Sequence, residues 1–151
     1  MMSTTTSLLA LWKEARTRFS NQLSQLNEDD LKKKIASNSN SIGFLMRHIG
    51  DVELLFAKNV FGDSTVSVIA KTVIDQKDSG EWTNLNELIA YTNKSFQTLE
   101  AIIMKQSEEN WSETIVTKEF GTKTKAEAFG RIISHTTYHA GQMAIIKKYG
   151  N

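Results

Sequence analysis

His135 and His139 stand four residues apart near the end of the sequence. On a helix, residues four apart lie one above the other on the same face, so these two imidazoles can converge on a single point. Chelating a cation from a helix requires that geometry. The chain has 3 histidines in all, and the remaining one, His48, falls on the apolar stripe of a second run with helical periodicity. Three neutral imidazoles from two facing helices would make a metal site with at least one open coordination position. The plain alternative is a set of core histidines satisfied by hydroxyls or carbonyls. For the 135/139 pair alone that alternative is the better reading. The third histidine shifts the balance, because every imidazole in the chain then lies where burial is expected. A buried polar group without a partner costs roughly 1–3 kcal/mol. One divalent cation would satisfy all three.

Ligand type narrows the chemistry. Histidines without thiolates suit zinc, nickel, copper or iron and argue against calcium or magnesium. Zinc or nickel is the first expectation and iron the next. Cysteine is absent, which excludes disulfides, thiolate ligands and a cysteine nucleophile. A metal-bound water is acidified towards neutrality, and the cation can polarise a carbonyl or stabilise a thiolate or alkoxide. No fourth ligand stands out. Asp51 and Glu53 are candidates to orient an imidazole N–H, although solvated surface carboxylates are the more ordinary expectation for both. Gln142 follows His139 by three residues and shares its face. It is the candidate for supporting the site or contacting substrate or bound water, against an ordinary packed amide. Tyr138 and Arg47 flank the stripes and belong at helix edges. Trp12, Trp82 and Trp111 read as core or bundle-end packing. No Gly-rich phosphate loop and no Ser/His/Asp arrangement can be placed.

The elements that must position these residues are helical. Proline is absent from all 151 positions, so nothing interrupts long helices. Residues 5–26 carry Leu8, Leu11 or Trp12, Ala15, Phe19, Leu23 and Leu26, with Lys13, Arg16 and Arg18 among the polar positions. Asp29 or Asp30 can cap a short turn over 31–35, and the polar run 37–41 forms a loop ending in good N-cap residues. A second helix is expected over 41–61, with Leu45, His48, Ile49, Val52 and Leu55 or Phe56 on its stripe. Gly43 and Gly50 in this helix point to close approach of a neighbour, since each costs about 1 kcal/mol relative to alanine. Residues 62–83 read as a long connection with at most a turn of helix, which allows the helices on either side to run parallel. Asn84-Leu85-Asn86-Glu87 and Thr124-Lys125-Ala126-Glu127 have the form of capping boxes. They open helices over about 85–105 and 124–149. Residues 111–124, with strand-like Thr114, Ile115, Val116 and Phe120 before Gly121, suggest a short hairpin over the bundle end. The whole is one all-α domain, residues 1–151, built as a four-helix bundle with long connections between helices two and three and between three and four. His48 lies ~10 Å and His139 ~15 Å from a shared bundle end at about 1.5 Å per residue, so their levels match roughly.

Charge and hydropathy exclude other classes. With 18 basic and 17 acidic residues the net charge is +1, which gives no electrostatic case for nucleic acid. No run reaches transmembrane length, and the patch at Leu8–Trp12 is broken at once by Lys13 and Glu14. A cytoplasmic protein without a membrane partner is the expectation.

The stretch from Asn40 to Glu53, with Arg47-His48-Ile49-Gly50-Asp51-Val52-Glu53 at its end, and the stretch His135-Thr136-Thr137-Tyr138-His139-Ala140-Gly141-Gln142 together resemble the DinB/YfiT-like family of four-helix-bundle proteins. The resemblance spans essentially the whole chain. It implies an up-down-down-up bundle in which His48, His135 and His139 hold a divalent metal and Gly141-Gln142 follow the second motif. It also implies a homodimer, and a metal-dependent transferase that adds a low-molecular-weight thiol such as bacillithiol to a small electrophile, or a hydrolase-like enzyme. A non-catalytic, stress-associated bundle that binds metal or a partner is the competing class. A fourth protein ligand or a sealed site would favour it.

Overall fold

The computed structural model describes residues 2–151. In chain order its regular elements are α1 (Thr4–Leu23), α2 (Ile42–Leu55), the short α3 (Lys71–Asp75), α4 (Leu85–Ile103), a hairpin of β1 (Thr114–Thr117) and β2 (Gly121–Thr124), and α5 (Lys125–Tyr149). The long helices begin where side chains can take up the free N–H groups of the first turn. Ser41 Oγ accepts from Phe44 N–H (3.2 Å) and Asn84 Oδ1 from Glu87 N–H (3.0 Å). At Thr124 both arms of the capping box form. Beyond Leu55 the second helix widens into a π turn over Phe56–Val60, so helical backbone reaches the expected limit. The turn expected near 31–35 is a 3₁₀ turn over Asp30–Lys32.

Contacts along the helices establish their directions. Trp12 packs on Phe129 (ring centroids 5.8 Å), and further along Gln22 donates to the Ala140 carbonyl (2.9 Å). Residue order therefore ascends together, and α1 and α5 are parallel. Tyr91 donates to Asp51 (2.5 Å) and Ser95 to Glu53 (2.6 Å), which makes α2 and α4 parallel too. Arg16 reaches the Thr92 carbonyl whereas the earlier Lys13 pairs with Glu100, so α1 and α4 are antiparallel. Leu45 shares a cleft with Ile146 while Phe56 shares one with Arg131, the antiparallel order for α2 and α5. The bundle is up-down-down-up, and the long 62–84 connection returns the chain so that α4 starts at the same end as α2.

The expected close approaches at Gly43 and Gly50 are present. A Cβ on Gly43 would stand 1.9 Å from the Trp82 carbonyl oxygen, and one on Gly50 2.6 Å from the Tyr91 ring. The apolar core divides into two clusters. Trp12, Phe61, Trp111, Phe129 and Ile132 dominate one, and Phe19, Leu45, Met46, Ile49 and Met143 the other.

Between the clusters runs a polar layer that the helical periodicity assigned differently. Arg16, expected on a solvated face, is 5% exposed, and Asp51 and Glu53, expected as surface carboxylates, are both 0% exposed. Arg16 donates to Glu53 from Nε (2.6 Å) and Nη2 (3.2 Å), and its guanidinium lies 4.6 Å from the Phe96 ring centroid. Burial is tolerated because the charges meet each other and Ser95 supplies a further donor. Leu11 is 60% exposed while Trp12 is fully buried, which decides between those two stripe positions.

Candidate metal centre

The seam between the two core clusters is where α2 and α5 bring the three histidines together. α5 sends Ala128, Phe129 and Ile132 into one cluster and Ala140, Met143 and Ile146 into the other, with His135 and His139 between them. His135 Nε2 lies 3.1 Å from His48 Nε2. Ring centroids are 4.9 Å apart for His48 and His135, 5.0 Å for His48 and His139, and 4.4 Å for His135 and His139. One ring nitrogen from each lies within 4.8 Å of the other two. Two nitrogens bound at about 2.0–2.1 Å to one tetrahedral ion stand about 3.3 Å apart, so the closest pair is already near coordination distance.

The rings are half-buried, and burial depresses their basicity. The His135 imidazole is pushed down to about 3, first by desolvation and then by the neighbouring His139, His48 and Arg131. His48 falls to about 4 through desolvation and His139, with Asp51 opposing. His139 is lowered by burial, opposed by its bond to Gln142. All three are neutral near pH 7, which is the form that offers a lone pair to a metal. His135 Nδ1 is buried without a hydrogen-bond partner among the described residues. The donor set and its spacing fit a divalent cation of the zinc type.

Two of the rings have partners behind them. His139 Nδ1 meets Gln142 Oε1 at 2.6 Å, one helical turn on. His48 Nδ1 meets Thr72 Oγ1 at 3.0 Å, and the Thr72 hydroxyl in turn donates to Asp51 (2.7 Å). Sequence periodicity missed Thr72. It lies in α3, within the stretch read as a connection, and five helical residues carry too little pattern to show which side chain turns inward. Asp51 was a candidate for orienting an imidazole directly. It reaches His48 only through Thr72.

His48 and His139 open onto a cleft of about 710 Å3, whose walls include Phe44, Thr72, Val73, Gln76 and Lys118. His135 opens onto a second cleft of about 300 Å3 with Val52, Phe56, Arg131 and Tyr138. Glu119, in the turn of the hairpin, lines both. The hairpin expected over the bundle end therefore reaches the histidines. Tyr138 is 66% exposed, in keeping with a helix edge. Gln142 also borders a separate cleft of about 360 Å3 with Ile35 and Ile145.

No helix among the described residues is long and apolar enough to cross a membrane. No curated protein matches the sequence. Among solved structures, the mycothiol-dependent maleylpyruvate isomerase shares the fold at 18% identity with a TM-score of 0.71, over 95% of this chain and 63% of that one. This chain thus spans less than two thirds of the isomerase. YfiT from Bacillus subtilis, described as a probable metal-dependent hydrolase with an unusual four-helix bundle topology, is 9% identical with a TM-score of 0.72, over 98% of this chain and 89% of that one. A conserved protein from Enterococcus faecalis is 16% identical with a TM-score of 0.67, over 99% and 98%. At these identities the likeness establishes the fold alone. The sequence model of the DinB superfamily matches residues 11–143, a span that contains all three histidines, and the chain belongs to that superfamily.

Proposed function

We propose that this chain is a divalent-metal-dependent enzyme in which His48, His135 and His139 hold the ion, acting on a small molecule as a thiol transferase or a hydrolase-like catalyst. The observation that carries this reading is the convergence of three neutral imidazoles, two of which, His48 and His139, line a cleft of about 710 Å3. When bound, a zinc- or nickel-type cation, with iron the next choice, supplies Lewis acidity that keeps a water or thiolate deprotonated near neutral pH. Gln142 holds the ring of His139 by its Nδ1. Phe44 and Val73 give the cleft an apolar wall that limits water, while Gln76 and Lys118 offer polar contacts to a ligand. A low-molecular-weight thiol as co-substrate is supported by the mycothiol-dependent isomerase among the similar structures, and hydrolysis by the description of YfiT. The enzyme is read as a cytoplasmic homodimer.

A bundle that binds metal only for stability would close its site with a fourth protein ligand. Among the described residues the grouping has three donors and opens to a cleft, which favours the enzyme over that class. Elemental analysis of protein purified without a histidine tag, beside a His48→Ala control, tests the site. About one metal per chain that disappears in the control supports it and justifies assays with bacillithiol-type thiols, electrophiles and hydrolysable esters. Absence of metal in both, with no uptake on titration, returns the histidines to a packing role.

A further inference from the structure

Resting on the metal reading above, we propose that Thr72 and Asp51 form a relay that sets the tautomer and ring orientation of His48, so that its Nε2 lone pair faces the metal. Both are positioning residues and neither is a ligand. Hydrogen-bond accounting carries the inference. Asp51 is fully buried, and its carboxylate accepts four hydrogen bonds. Arg47 Nε (2.8 Å) and the Tyr91 hydroxyl (2.5 Å) donate to Oδ1, and Thr72 N–H (3.2 Å) and the Thr72 hydroxyl (2.7 Å) donate to Oδ2. An ionised carboxylate offers about four lone-pair sites, so none remains for a cation. Arg47 is itself held, with its guanidinium 3.7 Å from the Tyr91 ring centroid and 4.8 Å from that of Trp82.

The consequence passes to the histidine through one oxygen. The only hydroxyl hydrogen of Thr72 is committed to Asp51, so Thr72 Oγ1 presents lone pairs alone to His48 Nδ1 at 3.0 Å. The ring proton must then sit on Nδ1. That leaves the lone pair on Nε2, the atom that faces His135 at 3.1 Å. Which nitrogen of a histidine binds metal is set by the bond the other makes. A chain that ends on a buried, four-fold-satisfied carboxylate is a firm anchor for that choice. It also gives the long 62–84 connection a purpose beyond crossing the bundle, because α3 delivers Thr72 to the site.

The competing explanation is that Thr72 and Asp51 merely fasten α3 to α2. That role would move stability alone. The test is zinc affinity by competition with a chromophoric chelator, together with the 15N shifts of the His48 ring in metal-free protein, for wild type, Thr72→Val and Thr72→Ser. The nearly isosteric valine removes the relay oxygen, and serine restores it. We expect T72V to weaken zinc binding about 10–100-fold and to move the His48 proton from Nδ1 towards Nε2, with T72S close to wild type in both. Thr72→Ala carries the same expectation should T72V fail to fold. A T72V protein that binds zinc like wild type, or keeps the Nδ1–H tautomer, overturns the relay alone. A wild-type chain that takes up no zinc overturns the metal reading, and the purpose of the relay with it.

Discussion

His135 Nε2 and His48 Nε2 stand 3.1 Å apart although 87 residues separate them in the chain. Two imidazoles brought that close share either the N–H of a neutral ring or a cation, and burial disfavours the additional proton that would charge either one. Replacing either ring of α5 is therefore expected to remove the site without removing the fold. His135→Ala and His139→Ala should each drop bound zinc from about one per chain to none. Far-ultraviolet circular dichroism should still report the bundle, because the two core clusters lie on either side of the replaced rings. Stoichiometric zinc in both variants would exclude these ligands.

Acid should act on the same residues. In the unfolded chain the imidazoles take up protons as pH falls through 6.5, whereas in the fold His48 resists until about 4 and His135 until about 3. Between those limits the unfolded state binds more protons, so the metal-free protein loses stability as pH falls from about 6.5 towards 3. Urea midpoints measured across that window should decline, and less steeply in His135→Ala. With zinc present, protons compete for the same lone pairs, so metal release should accompany the decline.

The Arg16–Glu53 pair gives a prediction about stability alone. Glu53→Ala strands a guanidinium that is nearly sealed from solvent. Removing one partner of a buried pair costs about 3–5 kcal/mol, whereas replacing both with apolar residues of similar size is often near neutral. Urea denaturation of Glu53→Ala beside an Arg16→Met, Glu53→Leu double variant distinguishes these cases. A single variant as stable as wild type would contradict the pairing.

Gly43→Ala probes how closely the 62–84 connection is laid against α2. A methyl group there meets the Trp82 carbonyl oxygen at 1.9 Å, so either the helix or the loop must shift. Overpacking of this kind costs about 1–3 kcal/mol. Trp82 should report the shift in its fluorescence, and an unchanged spectrum with unchanged stability would rule out so close an approach of the Trp82 carbonyl to Gly43.

Several features were readable in the residues taken in order. The four long helices follow from local periodicity, and the start of α5 from a capping box whose two arms join residues three apart. The pairing of His135 with His139 needs only one helical face, and the addition of His48 rests on its place in a second stripe. Gly43 and Gly50 announced close neighbours because glycine within a helix is costly unless something occupies the missing side chain's place.

Other features depend on contacts between elements distant in the chain. Charged residues at helical positions are assigned to solvent by default, and only the three-dimensional fold sets Glu53 of α2 against Arg16 of α1 and Ser95 of α4. The same holds for Asp51, which would be too costly to bury without donors from Arg47, Thr72 and Tyr91. Thr72 meets His48 because a short helix in a long crossover folds back onto α2, and Glu119 reaches both clefts because a hairpin lies beside the seam. Sequence alone determined which side chains share a helical face, since helix geometry repeats every few residues. Tertiary structure decided which of those faces meet, because the partner that makes a buried polar group affordable comes from another part of the chain.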